Sequence, residues 1–167
     1  PENLTIYSVF EDKNCNIWLG THKGLAEYTD DYLKIYQDNM WLDKDGNAIN
    51  LAVDFAEDFT GNIWIAHQYG VSKLFNGKYF NLNIDSGLSA NDVRTIKIGP
   101  ENKMWFGTGN GISIYDGKNF SYIDSESGLS DNRCNDITAD SSGNIWAGTD
   151  NGLNKIIRKD NGEFAIK

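Results

Sequence analysis

The chain has 167 residues, 40% of them hydrophobic and 13% aromatic, with 17 glycines and only two prolines. Its 15 basic and 24 acidic residues leave a net charge of −9, which repels nucleic-acid phosphates, and no basic stripe offsets it. No apolar run approaches the ~20 residues a membrane-spanning helix needs, so direct membrane insertion is not expected.

Aromatic and β-branched stretches punctuated by Gly, Asn and Asp predict an all-β chain of short strands and tight turns. The first strand begins near Ile6, and Cys15 lies in the turn that follows. Asn16-Ile17-Trp18-Leu19-Gly20-Thr21 comes next, and close variants of this phrase recur three times. They are Asn62-Ile63-Trp64-Ile65-Ala66-His67, Lys103-Met104-Trp105-Phe106-Gly107-Thr108 and Asn144-Ile145-Trp146-Ala147-Gly148-Thr149. The tryptophans are 46, 41 and 41 residues apart, and a period of about 40 residues indicates an array of equivalent units. The first unit carries extra residues around Trp41 to Asn47.

In the second unit Leu51 to Glu57 alone would pass for an amphipathic helix, but Val53 and Phe55 occupy first-strand positions, so the repeat register predicts a strand. Asp58 to Asn62 and Asn76-Gly77 are turns. The third unit shows the plan most clearly. Val93 to Ile98, Met104 to Gly107, Ile112 to Tyr115 and Phe120 to Tyr122 are its strands, and Asp116-Gly117 is a hairpin turn. The fourth unit opens near Cys134, turns at Asp140 to Asn144 and closes on a strand at Phe164 to Ile166.

Four antiparallel strands per repeat is one propeller blade. The blades fall at approximately 1–49, 50–90, 91–131 and 132–167. Trp18, Trp64, Trp105 and Trp146 are expected between blades, because a lone four-stranded sheet cannot cover its own faces. Gly24, Gly70, Gly111 and Gly152 each follow a Trp by six residues, which predicts a turn needing positive φ.

Glu57-Asp58-x-x-Gly61-Asn62-Ile63-Trp64, Gly20-Thr21-His22-Lys23-Gly24-Leu25-Ala26-Glu27-Tyr28 and Gly87-Leu88-Ser89-Ala90-Asn91 together resemble the two-component regulator propeller repeat. The resemblance covers all four copies. It implies a binding or scaffolding module of the kind found in periplasmic sensor regions of bacterial hybrid histidine kinases, many of which respond to glycan fragments. A periplasmic or extracellular location follows from the same resemblance. The copies also depart from the pattern: Cys15 stands where Gly is usual, Ala66-His67 replaces Gly-Thr, and Gly99-Pro100-Glu101 replaces an acidic turn.

Rings in that family usually hold more blades. The chain is therefore expected to be a fragment or half of a larger ring, self-associating in the second case, rather than a closed four-bladed ring. Pro1 in place of an initiator Met suggests a processed or excised chain. Cys15 and Cys134 should lie at opposite ends of their blades as free thiols.

Several motifs dissolve into the repeat. Gly107-Thr108-Gly109-Asn110-Gly111 lacks the last glycine and the helix of a dinucleotide site, so no cofactor is expected. Asp43-Lys44-Asp45-Gly46-Asn47 lacks the outer ligands of a calcium loop, and no metal is expected. Glu11-Asp12 and Glu57-Asp58 read as turn chemistry rather than an acid–base pair. His22 and His67 fall in turns between second and third strands, where a solvated loop histidine is the default and a ligand contact the sharper alternative.

Function is then sought where the copies disagree, on the blade-linking face. The residues there are Trp41, His67, Gln68, Tyr69, Arg94, Arg133 and Asp150. Arg94 aligns with Tyr7, Val53 and Asn135, so blade geometry does not demand an arginine. Aromatic faces and polar groups of this kind suit a glycan or small polar ligand, and equally a protein contact. The expected function is a non-catalytic ligand-binding or scaffold propeller. The alternatives are a lyase or hydrolase acting on polysaccharides and a purely structural array.

Overall fold

A computed structural model describes residues 3–29, 32–36 and 51–167. Trp41 and the Asp43 to Asn47 turn lie outside the described residues. The first sheet is β1 (Ile6–Glu11), β2 (Ile17–Thr21), β3 (Gly24–Thr29) and β4 (Tyr32–Tyr36), and the second is β5 (Ala52–Glu57), β6 (Ile63–His67), β7 (Gly70–Phe75) and β8 (Lys78–Leu82). The third is β9 (Val93–Ile98), β10 (Met104–Thr108), β11 (Gly111–Tyr115) and β12 (Phe120–Ile123), and the fourth is β13 (Cys134–Ala139), β14 (Ile145–Thr149), β15 (Gly152–Arg158) and β16 (Phe164–Ile166). Each sheet is antiparallel with its strands in sequence order, and successive blades set their first strands side by side. Ala52 to Glu57 is a strand, as its place in the repeat requires.

Turn chemistry makes each sheet. The turns after β2, β6, β10 and β14 end in Gly24, Gly70, Gly111 and Gly152, at φ of 105°, 128°, 85° and 130°. An L side chain rarely adopts that conformation. At the opposite end, one aspartate organises the turn between first and second strands. Asp58 Oδ1 accepts from the Thr60 and Asn62 backbone N–H, and its Oδ2 accepts from Trp64 Nε1 at 2.9 Å. Asp12 with Trp18 (2.9 Å) and Asp140 with Trp146 (3.0 Å) repeat the arrangement. The turn therefore anchors the tryptophan that the next blade covers.

The third blade departs from this, as its Gly99-Pro100-Glu101 sequence foreshadows. Among the described residues Trp105 Nε1 is buried without a hydrogen-bond partner. Its indole lies against Gly99, where an added Cβ would sit 2.2 Å from Nε1. The ring gains an edge-on contact with Phe164 at 5.3 Å instead.

The core lies between sheets in three clusters. Trp18 and Leu25 meet Ala52 and Phe55, Trp64 and Val71 meet Val93 and Ile96, and Trp105 and Ile112 meet Cys134 and Ile137. The two outermost faces differ. Val9 is 65% exposed where Phe55, Ile96 and Ile137 are buried, and Leu153 is 65% exposed where Leu25, Val71 and Ile112 are buried. Trp146 is only half-buried for the same reason, and so departs from the expectation of an inter-blade core residue. Cys15 and Cys134 are free thiols, one exposed and one buried.

One irregularity recurs. Near the start of each first strand the pairing slips, between Ile6 and Ser8, Ala52 and Asp54, Val93 and Thr95, and Cys134 and Asp136. Tyr7, Val53, Arg94 and Asn135 are therefore the extra residues of four β-bulges. Such residues leave the ladder, and their side chains are re-aimed.

Candidate functional site

The bulges decide which side chains meet on the blade-linking face. Arg94 Nη1 donates to Asn135 Oδ1 at 2.7 Å, joining the bulge residues of the third and fourth blades. Asn135 Nδ2 donates to Asp150 Oδ1 at 2.7 Å. Asp150 Oδ2 lies 3.4 Å from Arg133 Nε, and its backbone N–H donates to the Arg133 carbonyl at 3.1 Å. At the other end Arg94 Nη2 lies 3.4 Å from Asp92 Oδ2, while Gly109 N–H donates to Asp92 Oδ1 at 3.2 Å. Two arginines, two aspartates and an asparagine thus form one continuous polar chain across two blades. Exposed ion pairs contribute about 0–1 kcal/mol each, so stability is a weak reason for the arrangement. Held in fixed orientation, the same groups offer guanidinium donors and carboxylate acceptors to a ligand at no further cost of ordering.

One residue deeper along the first strands the copies carry Ser8, Asp54, Thr95 and Asp136. Thr95 Oγ1 lies 2.9 Å from Asp54 Oδ2 and 3.2 Å from Asp136 Oδ1, linking three blades. Asp54 also accepts from the Ile96 backbone N–H at 2.9 Å and pairs with Lys97 Nζ at 3.2 Å. This second polar layer ties the first strands of the second, third and fourth blades together. Cys134 lies at the same level, where burial, with the Asp136 charge, pushes its thiol up to about 12. It stays a thiol at neutral pH and is inert as a nucleophile.

His67 is corrected by the structure. It is 1% exposed rather than a solvated loop residue. Tyr69 N–H donates to its Nδ1 at 3.3 Å, which leaves the proton on Nε2, 2.9 Å from Ser72 Oγ. Ser72 Oγ in turn donates to Asn81 Oδ1 at 2.6 Å. Burial drives the imidazole pKa down to about 3, so the ring is neutral. In the other blades this position is Thr21, Thr108 or Thr149, whose hydroxyl donates to the carbonyl of Gly24, Gly111 or Gly152. His67 thus fills a position where the other blades close the end of the second strand. Gln68 is exposed on the turn, and Tyr69 is half-buried against the core between the first two blades.

The structure therefore joins Arg94, Arg133 and Asp150 in one assembly and places His67, Gln68 and Tyr69 together on the second blade's turn. Sequence reasoning missed Asp92 and Asn135. Asn135 was visible as the counterpart of Arg94 in the repeat frame, but the bulge that lets the two meet was not. Glu57 and Asp58 diverge as expected, Glu57 Oε2 accepting from Lys13 N–H of the first blade at 2.7 Å while Asp58 serves its own turn.

Among the described residues, sixteen strands in four antiparallel sheets, each packed on the next through a layer that includes a tryptophan, define an array of β-propeller blades. The description "Two component regulator propeller" matches residues 1–23 and 128–151, within the first and across the third and fourth blades. Solved structures agree on the fold. The extracellular domain assigned to the hybrid two component system BT3049 from B. thetaiotaomicron superposes with a TM-score of 0.77 at 21% identity, over 98% of this chain and 26% of that one. The corresponding domain of BT4673 from the same organism gives 0.77 at 26% identity, over 95% and 22%. Virginiamycin B lyase from Staphylococcus aureus gives 0.75 at 15% identity, over 100% and 56%. This chain thus spans about a quarter of the first two structures. No curated protein matches it in sequence. Among the described residues no helix is long and apolar enough to cross a membrane.

Proposed function

We propose that the chain is a non-catalytic, ligand-binding propeller module from the extracytoplasmic sensor part of a two-component signalling protein, and that its blades are part of a larger ring. The ligand is a carbohydrate or other small polar molecule, received on the blade-linking face. The observation that carries this reading is the polar chain from Asp92 through Arg94, Asn135 and Asp150 to Arg133. It stands on bulge positions that the other two blades fill with Tyr7 and Val53. The likeness to extracellular domains of two-component systems supports the location and the signalling context.

A catalytic reading needs a titratable group free to move a proton at working pH. His67 is buried and its ring is neutral, bonded to Ser72 Oγ and through it to Asn81. The arrangement suits recognition better than turnover.

Screening the chain against a glycan array, with a parallel assay for unsaturated products, tests the proposal. A bound glycan without product is expected, and Arg94→Ala or Arg133→Ala should weaken it about tenfold, the loss of one charge-assisted hydrogen bond. Product release that vanishes in Tyr69→Phe would overturn the non-catalytic reading in favour of a polysaccharide-active enzyme.

A further inference from the structure

At the opposite end of the blades, between the second and third, lies a cleft of about 540 Å³. That volume falls within the ~300–1,000 Å³ of small-molecule sites. Phe75 and Phe80 form one wall, 45% and 52% exposed, with ring centroids 6.5 Å apart. Tyr115 and Asp116 stand on the facing side, and Trp64 and Lys73 line the cleft as well.

The repeat frame shows that the fold does not require the two phenylalanines. Phe80 pairs with Lys73 across the outer hairpin, and the equivalent pairs elsewhere are Lys34 with Glu27 and Ser121 with Ile114. Phe75 stands where the other blades carry Thr29, Asp116 and Ile157. Only the second blade presents two aromatic rings here, and it exposes both to solvent. That exposure costs solvation free energy, of order 25 cal/mol per Å² of apolar surface, only partly offset by the contact of the two rings with each other.

The charges around the rings are already arranged. Lys73 Nζ lies 5.0 Å over the Trp64 ring, 5.9 Å over Phe75 and 3.6 Å from Asp58 Oδ2, so its charge is held within the wall. Asp116 Oδ1 accepts from the backbone N–H groups of Lys118 and Asn119 at 2.8 and 2.7 Å. Those bonds orient the carboxylate and hold it ionised, below the usual carboxylate range. Asp58 and Asp116 against Lys73 leave an excess of one negative charge.

We propose that this cleft is a second binding site, taking a neutral oligosaccharide that lays a C–H face on Phe75 and Phe80 and donates hydroxyl hydrogen bonds to Asp116. A pyranose ring combines a flat apolar face with a rim of hydroxyl donors, which matches an open aromatic wall beside an ionised acceptor. The excess negative charge and the net charge of −9 work against uronic or sulfated sugars. The site lies at the other end of the blades from the polar chain and shares no residue with it, so the two stand or fall separately.

The test titrates cellotriose, xylotriose, mannotriose, maltotriose and trigalacturonic acid into the chain, followed by calorimetry and tryptophan fluorescence. The comparison protein is Phe75→Thr/Phe80→Ser, which borrows residues that other blades carry at those positions and so keeps the blade fold. At least one neutral trisaccharide should bind, at least tenfold more weakly in the double variant, with no comparable binding of trigalacturonic acid. Silence toward all four neutral sugars overturns the proposal. So does equal binding of the acidic one, or binding that Arg94→Ala removes and the double variant leaves intact. That last pattern would place the sugar on the bulge residues, whereas loss in the double variant alone would place it in the cleft.

Discussion

His67 shows how far one residue's environment can move its chemistry. A histidine beside a turn reads as solvated, because nothing in its immediate neighbours announces burial. The preceding β6 segment is buried throughout, however, and carries the ring inward with it. With its folded pKa lowered to about 3 from 6.5, the unfolded chain binds the extra proton first. Stability is then fully present above pH 6.5 and is lost as pH falls toward 3. The maximum slope is about 1.4 kcal/mol per pH unit. His67→Thr, which installs the residue of the other blades, should flatten the dependence of Tm on pH between 6.5 and 4. An unchanged profile in a thermal melt series would contradict this assignment. Gly99 offers a second residue-scale test. Its φ of −103° suits any residue, so only space argues for glycine. Gly99→Ala should cost about 1–3 kcal/mol by displacing Trp105, measurable by urea unfolding with the fluorescence of that ring as reporter.

At the scale of the strand and turn, the aspartate turns carry the blade. Burial alone would raise the Asp58 carboxyl, but hydrogen bonds from Asn62, Trp64 and Thr60 outweigh it and hold it well below the usual range. Asp140, more exposed, is held to about 2, chiefly by Asn144 and then Trp146. Both therefore stabilise the fold above pH 3.8, and that stability is lost as pH falls through their lower folded values. Asp58→Ala should cost about 2–3 kcal/mol and Asp140→Ala less, because water can replace its partners; equal losses in denaturant titrations would reject this ranking. These turns were legible from Asp, Gly and Asn at fixed offsets from each Trp, and so were the strands, because alternation and turn chemistry are local properties repeated four times. The bulges were not legible. Whether a residue is paired or pushed out depends on its partner strand, and nothing local to Arg94 or Asn135 records it. Hence Arg94, Arg133 and Asp150 could be named singly, while their union through Asn135 could not.

For the whole molecule, the two end faces matter most. Ile6 and Val9 on the first blade and Trp146 and Leu153 on the last are the two halves of the interface that the inner blades form three times over. Such faces associate unless another blade covers them. The isolated chain is expected to pair head to tail, and Leu153→Lys should return it to 18.7 kDa in light scattering. A wild-type chain that stays monomeric and melts cooperatively would refute the half-ring reading. The repeat period, the strand order and the turn positions were all present in the amino-acid sequence, since each follows from backbone preferences and hydrophobic alternation within some 40 residues. The burial of His67, the polar chain on the bulges, the cleft beside Phe75 and Phe80, and the open end faces emerged only once the blades were packed. Each depends on which groups of separate sheets are brought within a few ångströms, and a repeat can specify its own sheet without recording what its neighbours place against it.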